Sequence, residues 1–187
     1  RLLTGFTLIE MLVAVGIFSI VAVIGAGVVV TLLRTQERVH AFQNLQDKVR
    51  YTLDYMTISM LGGQDFRCLD PTDNNPNPAT PLPPSGSNDN CSNQALLYHH
   101  PSGAAVAYRL RSGVIETWRE GGSGYIRLTD PRVTITNLRF YVSGAAANNK
   151  KQPRVTIILE ASVPAPRTGG DVKMNLETTV SQRYIDS

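Results

Sequence analysis

The chain has few of the residues that build catalytic and metal centres. Its 187 residues include two cysteines and three histidines. Two cysteines supply too few ligands for a structural metal site. His40 falls on a helical pattern. His99 and His100 are neighbours, so a strand carrying both turns them to opposite faces. The glycine-rich stretch Gly121–Gly124 has no lysine and no helical pattern after it, so it does not cradle a phosphate. Carboxylates are scattered, and no nucleophile stands with a base and an orienting group. These absences point away from an enzyme, and no cofactor and no metal are expected. Lys and Arg number 18 against 15 Asp and Glu, a balance of +3 that is too mild to argue for nucleic acid. Nor is there a second apolar stretch near the roughly 20 residues of a membrane span, which excludes a multi-span transporter.

The first such stretch is present. From Phe6 to Leu33 the chain carries one charge, Glu10. As a helix these residues extend about 42 Å at ~1.5 Å per residue, more than a hydrocarbon core of about 30 Å. A secretory signal has an apolar core of only about 7–15 residues, so a membrane-spanning helix fits better. Glu10 lies about one turn inside the apolar run. A carboxylate in lipid costs roughly 2.5 kcal/mol or more at mid-bilayer. Either it lies among the headgroups and is hydrated, or it meets a positive charge on a neighbouring chain. Gly25-Ala26-Gly27, with Gly16, reads either as a small-residue patch for close helix packing or as the ordinary glycine of spanning helices.

The run Gly5-Phe6-Thr7-Leu8-Ile9-Glu10-Met11-Leu12-Val13-Ala14 resembles the prepilin cleavage and methylation motif of type IV pilins and type II secretion pseudopilins. The resemblance implies that prepilin peptidase cuts between Gly5 and Phe6 and methylates the new amine of Phe6. It makes Arg1-Leu2-Leu3-Thr4 the tail of a short basic leader. It implies that Glu10 neutralises the amine of an adjacent subunit in a filament, where opposite charges in a low-dielectric bundle satisfy each other. Tip subunits of the family can lack this acid. Its presence here implies a subunit above this one as well as below. The implied partners are other pilin or pseudopilin subunits, the peptidase and an inner-membrane assembly platform. The implied location is the inner membrane, single-pass with the head outside the cytoplasm, and then the filament.

Beyond Arg34, apolar residues recur at Val39, Phe42, Leu45, Val49, Leu53, Met56 and Met60, the spacing of one helical face. Gly62-Gly63 reads as the stop. One helix is therefore predicted from near Phe6 to about Leu61, spanning over 6–33 and amphipathic over 34–61. Such periodicity also suits a coiled coil. The uneven steps and abrupt end favour packing on a domain. Residues 62–93 read as a Pro- and Asn-rich loop bounded by Cys68 and Cys91. With the soluble part outside the inner membrane, these two suggest one disulfide; two unpaired buried thiols are the alternative. Asp70, Asp73, Asn74 and Asn75 offer oxygen ligands of the kind calcium takes, without the spacing of a calcium loop. A solvated, turn-rich loop is the reading preferred for them.

After Asn93 the pattern becomes strand-like. Gly103–Leu110 and Val114–Trp118 flank Arg111-Ser112-Gly113, a hairpin signature. Tyr125–Thr129, Val133–Val142, Arg154–Val163 and Val172–Tyr184 follow as strands. The expected fold is α+β and pilin-like: a long N-terminal helix, membrane-spanning then amphipathic, packed on an antiparallel β-sheet in a head of residues 94–187. The layout, with the strings VTITNLRFYV and PRVTIILEASV, is similar to minor pilins and to J-type pseudopilins. A structural filament subunit is the first functional reading. A pilus-borne adhesin or DNA-uptake tip subunit is the second. The Cys68–Cys91 loop is nearly free of Lys and Arg, which argues against phosphate contact there. Lys150-Lys151 with Arg154 are the better nucleic-acid candidates, and a solvated turn explains them too.

Overall fold

The computed structural model describes residues 7–74, 76, 91–145, 152–165 and 170–182. Its first element is a single helix, α1 (Leu8–Leu61), of 54 residues, about 80 Å long at ~1.5 Å per residue. Thr7 is extended and caps it. Its side chain accepts the Glu10 N–H, and the Glu10 carboxylate reaches back to the Thr7 N–H. In the apolar half, Ser19 and Thr31 turn their hydroxyls onto the carbonyls of Val15 and Gly27 at 2.8 and 2.9 Å. Both hydroxyl donors are thus satisfied within the helix.

The helix ends at Gly62, as its sequence predicts, but for a different reason. Gly62 has φ −102°, so no left-handed turn is made. The glycines are needed for space. A Cβ on Gly62 would lie 2.6 Å from the Pro101 ring, and one on Gly63 would lie 2.6 Å from the Tyr98 ring and 3.0 Å from the Met60 carbonyl.

Two antiparallel sheets follow where one was expected. The first has five strands in the order β1 (Gln64–Leu69), β3 (Ala95–His99), β4 (Ala105–Arg111), β5 (Val114–Arg119) and β6 (Ile126–Arg127). The second has four, in the order β2 (Cys91–Asn93), β7 (Thr134–Ser143), β8 (Arg154–Ala165) and β9 (Gly170–Ser181). Strands β1 and β2 lie inside the segment expected to be loop. Each pairs along an edge of a different sheet, β1 on β3 and β2 on β7. The strand expected at Tyr125–Thr129 shrinks to two residues. β9 begins at Gly170, two residues earlier than expected, and Arg183–Tyr184 lie outside the described residues.

The β4–β5 hairpin is the one predicted. Its turn residues Ser112 and Gly113 have φ of 51° and 75°, the mirror-image two-residue turn that matches strand twist. In β7 the burial phase slips between Ile135 and Asn137. The step of three from Ile135 to Leu138 is this bulge. The two sheets meet here: the Ile135 N–H donates to the Gly113 carbonyl at 2.9 Å.

One hydrophobic core serves the helix and both sheets. Leu45, Val49, Leu53, Met56 and Met60 from α1 are buried in it, and α1 lies chiefly on β8 and β9. The predicted apolar face is thus confirmed from Leu45 onward. Its first two members are not covered: Val39 is 49% and Phe42 42% exposed. The cover thins before Leu45: Ala41 is half-buried against the core, and Glu37 and His40 line a surface pocket with Val163 and Pro164.

Candidate functional site

The sequence marks two regions, the N-terminus of α1 and the Cys-bounded segment. At the N-terminus Gly5 and Phe6 lie outside the described residues. Glu10 is exposed, in the first turn of α1. Its carboxylate lies 3.5 Å from the Thr7 N–H and 3.5 Å from the Thr7 hydroxyl. Thr7-Leu8-Ile9-Glu10 therefore forms a capping box, a pattern legible in the sequence as Thr-x-x-Glu before an apolar run. The acid has a local role that the charge-pairing reading overlooks. An acid here also complements the positive end of the helix dipole. Both interactions are long and solvent-facing, so the carboxylate remains open to a stronger cationic partner.

No part of the apolar half is covered by the described residues of the head. It is long and apolar enough to cross a membrane. A Cβ added to Gly16, Gly25 or Gly27 would meet nothing within 4 Å, so the small-residue patch packs on none of the described residues.

The Cys-bounded segment is anchored by a residue that the sequence did not single out. Arg109, on β4, is 3% exposed. Its Nε donates to a Glu116 carboxylate oxygen at 2.7 Å. Its Nη1 donates to the Asp73 carbonyl at 2.9 Å and to Asn74 Oδ1 at 3.1 Å. Its guanidinium lies 3.6 Å from the centre of the Tyr125 ring, close enough for cation–π attraction. Arg111 donates to the same Asn74 oxygen at 2.8 Å. Burial pushes the Tyr125 phenol up to about 12, against the opposing pull of Arg109.

This clamp engages two oxygens of the segment read as a calcium candidate. Two of the oxygens offered for a cation, the Asp73 carbonyl and the Asn74 side chain, are held by a guanidinium. Asp70 instead accepts from the Thr72 hydroxyl and N–H at 2.7 and 2.8 Å, and those bonds hold its carboxyl below the usual range. Asn75 lies outside the described residues. Among the described residues no three His, Cys, Asp or Glu side chains converge on a metal position.

The histidines stay apart, as expected. His40 is on α1. His99 Nδ1 lies 3.3 Å from Asp65, which also pairs with Arg67. His100 Nδ1 is 3.0 Å from the Ser102 hydroxyl. Lys150 and Lys151 lie outside the described residues, and Arg154 is exposed at the start of β8.

Comparison with known proteins bears on both regions. Residues 4–26 match the prokaryotic N-terminal methylation motif. Residues 81–182, more than half of the chain, match the family described as prepilin peptidase-dependent protein B. No characterised protein and no solved structure is detectably similar to the chain. The methylation motif, the long apolar helix and the antiparallel head together make this a subunit of pilin or pseudopilin type. The chain belongs to the prepilin peptidase-dependent protein B family.

Proposed function

We propose that the chain is a minor subunit of a type IV pilus or type II secretion pseudopilus, and that it acts structurally rather than as an enzyme. Prepilin peptidase cuts between Gly5 and Phe6 and methylates Phe6. Residues 8–33 then hold the subunit in the inner membrane as a single span, with the head outside the cytoplasm, until it is drawn into a filament.

One observation carries this reading. The apolar half of α1, bearing Glu10 in its first turn, is covered by no described residue of the head. Such a surface needs lipid first and neighbouring helices afterwards. In the filament Glu10 exchanges its 3.5 Å contacts with Thr7 for the amine of an adjoining Phe6, since a full ion pair in a low-dielectric bundle outweighs a long bond to a neutral donor. Mass spectrometry of the native N-terminus tests the processing step: a methylated Phe6 is expected, and an intact leader rejects it.

A disulfide between Cys68 and Cys91 belongs to the same proposal. No cysteine among the described residues is free, and Cys91 is the one other cysteine of the chain. Because β1 and β2 lie on different sheets, the bond would staple the two. Closing a loop of this size is worth on the order of 3 kcal/mol by chain-entropy reasoning.

A second reading, adhesion through the Cys-bounded segment, has the Arg109 clamp in its favour. The clamp holds residues 73–74 against the sheet. Deleting the segment should then spare assembly and abolish attachment.

A further inference from the structure

A groove of about 640 Å³ separates α1 from the β5–β6 edge of the first sheet. It shares no lining residue with the Arg109 clamp, although Thr117 and Ile126 are the chain neighbours of Glu116 and Tyr125. Three large apolar side chains stand around it: Tyr55 and Ile58 from α1, 47% and 73% exposed, and Ile126 from β6, 63% exposed. Single exposed apolar residues are ordinary, but several around one concavity mark a contact surface.

The polar groups in the groove share one character. Arg119 and His100 line it, and no carboxylate among the described residues does. Arg119 donates to the Ser102 hydroxyl at 3.2 Å and is in no ion pair among the described residues. The neighbouring acid, Glu120, is engaged by the Ala105 N–H at 2.9 Å. Ser59 and Thr117 also line the groove. Behind them Tyr108 is fully buried, its hydroxyl making no hydrogen bond of good geometry although Ser59, Tyr98 and Thr117 are its neighbours. The groove therefore offers a cation and hydroxyls between apolar walls, with nothing of opposite charge to match the cation.

Its shape fits an extended occupant. Tyr51, 70% exposed, precedes Tyr55 by one turn on the same face of α1, so the stripe from Tyr51 to Ile58 is about 10 Å long at ~1.5 Å per residue. About three residues of extended chain, at ~3.3 Å each, cover that distance. On the opposite wall, the outer edge of β6 is unpaired among the described residues, and such an edge can accept a strand.

We propose that this groove docks an extended acidic peptide segment of a partner protein. The partner's carboxylate sits on Arg119, and its flanking apolar side chains lie between Tyr55, Ile58 and Ile126. Its backbone polar atoms bond the Ser59 and Thr117 hydroxyls.

The test uses the full chain in phospholipid nanodiscs and two fluorescent probes, acetyl-Leu-Glu-Phe-Leu-amide and its Gln counterpart, with empty nanodiscs as the blank. Fluorescence polarisation should show the Glu probe binding about tenfold more tightly, the equivalent of one charge-assisted hydrogen bond of about 1.4 kcal/mol. Arg119→Gln should erase that preference, while Ile126→Ser should weaken both probes alike. Both positions are on the surface, so neither variant threatens the fold. Equal affinity for the two probes, no saturable binding, or a preference that survives Arg119→Gln would overturn the proposal.

Discussion

Lys48 Nζ lies 2.7 Å from Asp130 Oδ2, joining α1 to the loop before β7. The Lys48 bond first, and the Arg132 N–H second, hold the Asp130 carboxyl at about 2, below its ordinary 3.8. A carboxyl depressed on folding stabilises the fold above its unfolded value. That contribution fades as pH falls from about 4 through about 2. Lys48→Met should therefore flatten the acid limb of the head's unfolding curve and leave its shape above pH 5 unchanged. Urea unfolding at a series of pH values measures this, and an acid limb of unchanged slope counts against the pairing.

Gly63→Ala should destabilise the head by roughly 1–3 kcal/mol, the range for forcing a methyl into a packed site. The added carbon meets both the Tyr98 ring and the Met60 carbonyl, and Tyr98 is itself fixed by its bond to Ser59. Gly62→Ala meets only the Pro101 ring and should cost less. Denaturation midpoints of the two variants give the order directly.

Arg109→Met leaves Glu116 without its partner inside the clamp and should cost about 3 kcal/mol. Asn74→Ala works from the opposite side. It removes an acceptor shared by Arg109 and Arg111 and should cost under about 1 kcal/mol while speeding amide exchange over residues 70–74. Asn74→Asp, which sets a carboxylate between two guanidinium groups, should slow that exchange. Hydrogen exchange read by mass spectrometry separates the signs, and identical exchange in both Asn74 variants would show that the clamp does not hold the segment.

Glu10 has two candidate roles, and a pair of substitutions divides them. Thr7→Ala removes half of the capping box, at a cost of about 1 kcal/mol, and should leave incorporation into filaments intact. Glu10→Ala should cripple incorporation and leave membrane insertion intact. If the two variants assemble equally well, Glu10 is a helix cap and the filament reading loses its central residue.

Some of this architecture was written in local chemistry. A helix needs only its own residues to declare itself, so α1 was legible over nearly its full length. The β4–β5 hairpin was legible because its Ser-Gly turn sits between alternating runs. The bulge in β7 was missed, because the step of three between Ile135 and Leu138 sits within a run that otherwise alternates. Strands β1 and β2 were hidden because they are short edge strands in a stretch dominated by proline and asparagine. What makes them strands is pairing with β3 and β7, residues far away in the chain.

The amino-acid order alone determined an apolar segment long enough to cross a membrane, the acid at its start and the methylation motif, since each is a pattern within a few consecutive turns. Only the tertiary structure decided that Arg109 is a buried clamp, that the apolar face of α1 is covered from Leu45 but not at Phe42, and that Arg119 lines an apolar groove. Burial and the identity of a charge's partner depend on which distant elements are brought alongside, and no local periodicity encodes that.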